Sequence, residues 1–352
     1  MAEFLVRTDE HRLLHETVTR VFADPQQLER TLAESGLLAL PFASADGGLR
    51  EDGCDDLTGL AIAFAAKGAA FGIDTFLFQA VLGGGLISGT SSPDREAILQ
   101  GIIEGREHIA VGIHEPRGRA DVFHCETQAT RTDDGWTLSG AKTLVLGAEG
   151  ASRLILLARI EPSSDDPRTG LGLFQLVAKT ENLEWRHYCL RDGTPASDVT
   201  LKGAVLPDEA LICGPEVVVD ILERTLAVTR LCLAAEASGL MQSILSGTAI
   251  YVNQRQQFGQ AIGAFQVIQH RLADLAVMAD QSAALVSRIA KNAADIADIN
   301  SAYHTVAEMG MTAAKTAIQL HGGYGMTEDL PYGQALRRMM AIALLFRTPA
   351  GV

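Results

Sequence analysis

The spacing of apolar positions divides the chain into three stretches. From Thr8 to about Gly105 the pattern is helical: Leu14, Val18 and Val21 recur at steps of four and three, Pro25 closes that run, and an alanine-rich block fills Asp55 to Phe71. The turn-rich interval PFASADGGLREDG lies between them, and two further helices are expected within residues 73–105. Between about His108 and Cys213 the texture changes to short runs bounded by Gly, Asp and Pro, among them GWTLSGAKTLVLG, RLILLAR and SDVTLKGAVL. Such runs predict a compact antiparallel β module. Beyond Pro215 long helices return, and Phe265, Ile268, Leu272 and Leu275 form the stripe of an amphipathic helix packed in a bundle. The expected fold is α+β, with an N-terminal all-α domain over residues 1–107, a middle antiparallel β domain (sandwich or barrel) over 108–213 and a C-terminal four-helix bundle over 214–352. The β module is inserted between two helical parts that share one bundle core.

Composition narrows the function. The chain has 352 residues, with 43 acidic against 29 Lys and Arg and a formal charge of −14. No basic stripe could neutralise a phosphate backbone, so nucleic-acid binding is not expected. Five scattered cysteines, none in a C-x-x-C pair, indicate neither a disulfide framework nor a metal site. No apolar run reaches the roughly 18 residues of a membrane span, and Met1 is followed by charged and polar residues rather than a signal segment. A cytoplasmic protein without a membrane contact is expected.

The common catalytic motifs are missing: no G-x-S-x-G, no H-E-x-x-H, no Walker loop, no strand-borne G-x-G-x-x-G. Two stretches stand out instead, NQRQQFGQAIGAFQ at 253–266 and QLHGGYGM at 319–326. Gly322, Gly323 and Gly325 let backbone N–H groups approach an anion closely, and an arginine such as Arg255 adds a fork suited to phosphate. Phe258 can lie against a flat ring. Read blandly, the first is a helix turn with a solvated arginine and the second a glycine helix cap.

Together these motifs resemble the acyl-CoA dehydrogenase family. There, R-x-x-F-G followed by a glutamine eleven residues after the arginine, with Q-x-x-G-G-x-G, holds the ADP half of FAD. The matching residues are Arg255, Phe258, Gly259 and Gln266, then Gln319, Gly322, Gly323 and Gly325, with Gln257 beside them. LAESGLLALPFASADGGL (32–49), GWTLSGAKTLV (135–145) and LAAEASGLMQ (233–242) extend the likeness along the chain. The resemblance implies the family fold, an FAD cofactor and α,β-dehydrogenation of an acyl-CoA: a glutamate removes the α-proton and a hydride leaves the β-carbon for the flavin. The base must be a carboxylate of raised pKa.

Neither family position for that base is filled. A C-terminal Y-E-G-T-like turn reads F-R-T-P here, with Phe346 at the aromatic and Arg347 at the glutamate. Arginine stays protonated and cannot be a general base. The alternative E-R pair on the helix after the β domain reads Thr229-Arg230. Glu236, two helical turns on, and Glu223 are the remaining acids near that face. In the β module GIHEPRGRADV (112–122) and TLVLGAEG (143–150) replace the family's flavin-facing segments, and His114 stands where a hydroxyl residue is usual. A lone histidine is more often structural than catalytic.

In this family each FAD lies across a dimer interface. A chain that keeps the ADP half of the site and loses the base is therefore expected to pair with a homologous catalytic subunit. The resemblance points to the non-catalytic subunit of α2β2 acyl-CoA dehydrogenases of bacterial steroid side-chain degradation, a step of cholesterol and lipid catabolism. No catalytic residue is then expected in this chain, and the acyl-CoA is held mainly by the partner. Two alternatives stay open: a self-sufficient homotetramer using Glu236 as base, and a structural homologue that binds no flavin.

Overall fold

The structure is a computed structural model that describes residues 5–24, 28–72, 75–160, 166–293 and 295–347. Pro25 and the segment after Arg347 lie outside the described residues. The first helices are α1 (Asp9–Val21), α2 (Leu28–Glu34) and α3 (Thr58–Ala69). Thr8 caps α1 by accepting from the His11 amide at 3.1 Å, with Asp9 and Glu10 favouring the positive helix end. A π-helical stretch, Leu77–Gly83, runs straight into α4 (Gly84–Ser88), and α5 (Arg95–Ile103) follows.

Eight strands come next: β1 (Ile109–Gly112), β2 (Gln128–Thr132), β3 (Gly135–Leu146), β4 (Arg153–Arg159), β5 (Leu171–Val177), β6 (Leu183–Cys189), β7 (Pro195–Leu206) and β8 (Leu211–Cys213). They pair in the order β6-β7-β3-β1-β4-β5-β8, with β2 beside β3 and β4. The long helix α6 (Val218–Gln254) leads to a two-stranded turn, β9 (Gln256–Gln257) and β10 (Gln260–Ala261). The chain finishes with α7 (Gln266–Lys291), α8 (Ile296–His321) and α9 (Tyr332–Leu344). Among the described residues no helix is long and apolar enough to cross a membrane.

The chain forms two compact units. The described residues of one fall within Glu29–Cys54 and Asp74–Thr229, those of the other within Met1–Leu28, Asp55–Ile73 and Arg230–Arg347. The first holds the sheet. Its core gathers Leu138, Val145, Leu156, Phe174, Val199 and Leu201, with Trp136 edge-on to Phe174 at 5.3 Å between ring centres. The expected module was antiparallel throughout, but β1 runs parallel to β4 from Ile109↔Arg153 to Gly112↔Leu156. Hairpins leave turn signals in a sequence, as the Asp133–Asp134 turn before Gly135 does. A parallel neighbour reached through a long excursion leaves none.

The first part of that excursion, residues 113–127 between β1 and β2, is tied down by a buried charge. Glu115 accepts from Lys142 Nζ at 2.6 Å and from the amides of Glu126 and Thr127 at 2.6 and 3.0 Å. Burial alone would raise the Glu115 pKa, but the Lys142 ammonium and the hydrogen bonds outweigh it and bring it from 4.5 to about 2.

In the helical unit α3 and α6 meet backbone to backbone. A Cβ on Gly68 would lie 2.0 Å from the Glu236 carbonyl oxygen, and one on Gly239 would lie 1.8 Å from that of Ala65. Only glycine permits this approach. Further along, the Tyr303 hydroxyl reaches the carbonyls of Ile342 and Leu345 at the end of α9. The stripe expected to pack α7 behaves differently along its length: Leu275 is buried, whereas Phe265, Ile268 and Leu272 are only half-buried. Amphipathicity marks a face that gains from being covered without saying what covers it.

Because the folded-state pKa of Glu115 lies below its unfolded value, its stabilisation is present above about pH 4.5 and is lost as pH falls towards about 2. The expected outcome is an acid limb in the plot of denaturation midpoint against pH that is markedly flatter in Glu115→Gln. An unchanged limb would show that other carboxylates govern acid unfolding.

Candidate functional site

The two acids considered as candidate bases, Glu236 and Glu223, are each engaged by cations. Glu236 is fully buried between two cations: Arg338 Nε and Nη2 donate to its two oxygens at 2.5 and 2.9 Å, and Lys67 Nζ donates at 3.1 Å. Burial works to raise its pKa, but Arg338 and then Lys67 outweigh it and hold the carboxyl below the usual range. A general base here needs the opposite shift and access to substrate. Glu223 accepts from Arg168. His114 is buried, and its carbonyl accepts from the Thr143 amide at 2.9 Å.

At the two positions where the sequence reading places a base, the geometry is equally clear. The Thr229 hydroxyl is buried and donates to the Thr225 carbonyl at 2.8 Å, inside its own helix. Arg230 turns to Phe346, donating from Nε to its carbonyl at 2.7 Å, and donates from Nη1 to Asn300 Oδ1 at 2.9 Å. Phe346 is buried with φ 55°, and Arg347 beyond it is exposed.

The two unusual motifs converge. Arg255, at the end of α6, and Gln257 on β9 line a pocket of about 590 Å³ together with Gln319, Gly322 and Gly323 from the end of α8. Gly322 has φ 60° and ψ −141°, a conformation open to little but glycine, and a Cβ on Gly323 would meet nothing within 4 Å. The backbone is therefore bare where a ligand would approach. Gly325 does another job: it is buried under the loop, where a Cβ would come within 2.9 Å of the His321 Cβ and the Ile318 carbonyl. Phe258 is 90% exposed and packs edge-on to Phe265, and Gln266 is exposed at the start of α7; neither lines the pocket.

Sequence reasoning missed the aromatic wall. Tyr251, His321 and Tyr324 also line the pocket. The His321 ring lies between Tyr251 and Tyr332, 4.2 Å from each, and its Nδ1 donates to the Ala317 carbonyl at 2.8 Å. Burial, only partly opposed by that hydrogen bond, pushes the His321 pKa down. Tyr251 sits one helical turn before Arg255, and His321 and Tyr324 occupy variable positions of Q-x-x-G-G-x-G, where the motif carries no signal. Among the described residues no group of His, Cys, Asp and Glu could hold a metal ion.

Residues 219–351 match the family model described as "Acyl-CoA dehydrogenase, C-terminal domain". A 3-(aryl)acrylate reductase of Clostridium sporogenes is 25% identical over 327 residues, 91% of this chain and 86% of that protein. The mitochondrial 2-methylacyl-CoA dehydrogenase of Solanum tuberosum is 29% identical over 258 residues, 70% of this chain but only 61% of that protein. A solved chain described as "Tcur3481-Tcur3483 steroid ACAD G363A variant" is 26% identical and superimposes with a TM-score of 0.81 over 95% of this chain and 93% of that one. The chain has the acyl-CoA dehydrogenase fold, and its residues 219–351 are similar to that family's C-terminal domain. In this acyl-CoA dehydrogenase-like chain the long helix α6 ends on the pocket's arginine, so the helix that anchors the bundle also aims the site.

Glu236→Gln removes the charge that neutralises Lys67 and Arg338. The expected loss is about 3–5 kcal/mol of folding stability, the usual result of breaking a buried ion pair, read as a lowered urea midpoint. An unchanged midpoint would mean that Glu236 is not structural.

Proposed function

We propose that the chain is a subunit of an FAD-dependent acyl-CoA dehydrogenase. It supplies the residues for the ADP half of the cofactor, while a homologous partner in an α2β2 assembly supplies the carboxylate base and the substrate pocket. The observation that carries this reading is the pocket itself: an exposed guanidinium, two side-chain amides and unobstructed glycine backbone meet on the surface, with no carboxylate among the described residues lining it. That donor set fits a pyrophosphate. Arg255 can fork two hydrogen bonds to phosphate oxygens, backbone N–H groups of the loop can add more, and Gln257 and Gln319 can orient the sugar or base. Bound flavin would supply the acceptor for the hydride that leaves the acyl β-carbon.

The partner follows from what this chain does not offer. Thr229 and Arg347 stand at the two family positions for the base, and Glu236 is locked by two cations. This disfavours a homotetramer that uses Glu236 as base. A homodimer must keep both halves of each flavin site, whereas a heterodimer can divide them. Exposed apolar side chains beside the pocket and along the first turns of α7, Phe258, Val267 and Val277, suit a covering subunit. A steroid side-chain acyl-CoA is the substrate class we favour, on the likeness to the steroid ACAD chain, whose description pairs two gene products.

Purified alone, the chain should be colourless, and co-expressed with its homologous partner it should give a yellow complex with half as much FAD as chains. Full flavin occupancy in the isolated chain would sink the proposal. In the complex, Arg255→Ala should weaken FAD retention by about 1.5–3 kcal/mol, roughly 10- to 150-fold, measured by equilibrium dialysis. Arg347→Ala should leave the rate of substrate-driven flavin bleaching unchanged.

A further inference from the structure

The sheet unit carries another pocket, of about 730 Å³, that shares no residue with the one described above. One wall is the end of α4, Gly89 to Ser91, and the other is β8 with the first two turns of α6. A Cβ on Gly89 would come within 2.8 Å of Ile221, so the two walls are packed together along one edge. The floor is apolar: Leu211, Ile212 and Cys213 from β8 meet Val217 and Ile221 from α6. Burial pushes the Cys213 thiol up to about 11, which keeps it neutral, and Val217 is 51% exposed. At Gly214 a Cβ would meet nothing within 4 Å, so the backbone there is open to a ligand.

Two opposite charges line this pocket, Asp220 and Arg224. Both are exposed, and they stand four residues apart on α6 with the acid first, the order that favours a helical ion pair. They do not pair, and among the described residues neither side chain has a hydrogen bond or an ion pair. Elsewhere in the unit such charges meet: Arg131 with Asp208 at 2.8 Å, Arg95 with Asp46, and Glu223, which lies between the two in sequence, with Arg168. A phosphate or a simple carboxylate would be drawn by Arg224 and repelled by Asp220, and a simple amine the reverse. A zwitterion answers both, since a guanidinium forks two hydrogen bonds to a carboxylate and a carboxylate accepts from an ammonium. An α-amino acid holds those two groups on one carbon and leaves its side chain free to cover the apolar floor. We propose that this pocket binds a free α-amino acid with an apolar side chain, its carboxylate on Arg224, its ammonium on Asp220 and its side chain against Leu211, Val217 and Ile221.

The test titrates the purified full-length chain, with whatever subunit co-purifies, with L-leucine and with its two half-analogues: 4-methylpentanoate, which lacks the ammonium, and 3-methylbutylamine, which lacks the carboxylate. Calorimetry should show leucine binding about tenfold or more tighter than either, because each half-analogue leaves one charge unanswered. That ranking is read on the parent chain and needs no variant. Arg224→Gln and Asp220→Asn should each weaken leucine binding by about tenfold or more. Both side chains are exposed, so neither change should move the urea midpoint. A half-analogue that binds as tightly as leucine overturns the proposal. So does leucine binding that survives both substitutions, or a parent chain that does not bind leucine. Each of these outcomes leaves the proposed cofactor site standing, since the two pockets have no residue in common.

Discussion

A carboxylate removed from water must be neutralised where it stands, and Glu236 meets that requirement with cations from two other helices. Lys67 comes from α3 and Arg338 from α9, so a single charge on α6 draws three helices together. The glycine contacts set the spacing that makes this possible. With Gly68 and Gly239 at the crossing, the backbones of α3 and α6 touch, and Lys67 Nζ lies 3.1 Å from the Glu236 carboxylate. Larger residues at either glycine would part the helices and strand the charges, which is far more costly in a low-dielectric interior than losing the pair altogether.

The candidate site hangs from the same helix. Arg255 follows the last turn of α6, and the glycine loop follows the last turn of α8. Between them the Tyr251–His321–Tyr332 stack joins α6, α8 and α9 immediately beneath the pocket. Residues that line the pocket are thereby carried on helix ends with rigid support, while the backbone at Gly322 and Gly323 is nearly bare. A bundle whose helices shifted would misplace both walls of the pocket together.

Both units carry a buried carboxylate that cations hold in place. Glu115 fastens the long excursion of the sheet unit to β3 as Glu236 fastens the bundle, and both carboxyls are held below the usual carboxylate range by partners that exclude proton uptake near neutrality. A base for carbon acids needs burial without that compensation. The two environments are opposites, and a glutamate cannot occupy both.

The order of helical, β and helical stretches was legible from periodicity, because periods of 3.6 and 2 report which face of each element is apolar. Arg255, Gln257, Gln319, Gly322 and Gly323 stood out in the sequence through their resemblance to two family motifs, since a helix turn and a glycine cap account for either stretch alone; the fold brings these five to one pocket. The parallel β1–β4 pair, the exposed first turns of α7 and the burial of Gly325 were not, since each depends on partners distant in the chain. The same holds for Glu236: residue type alone leaves it a possible base, and only Lys67, 169 positions earlier, and Arg338, 102 positions later, make it an anchor. Local pattern specifies what each segment can bury or bind; the fold alone assigns neighbours, and neighbours decide whether a charge reacts or holds.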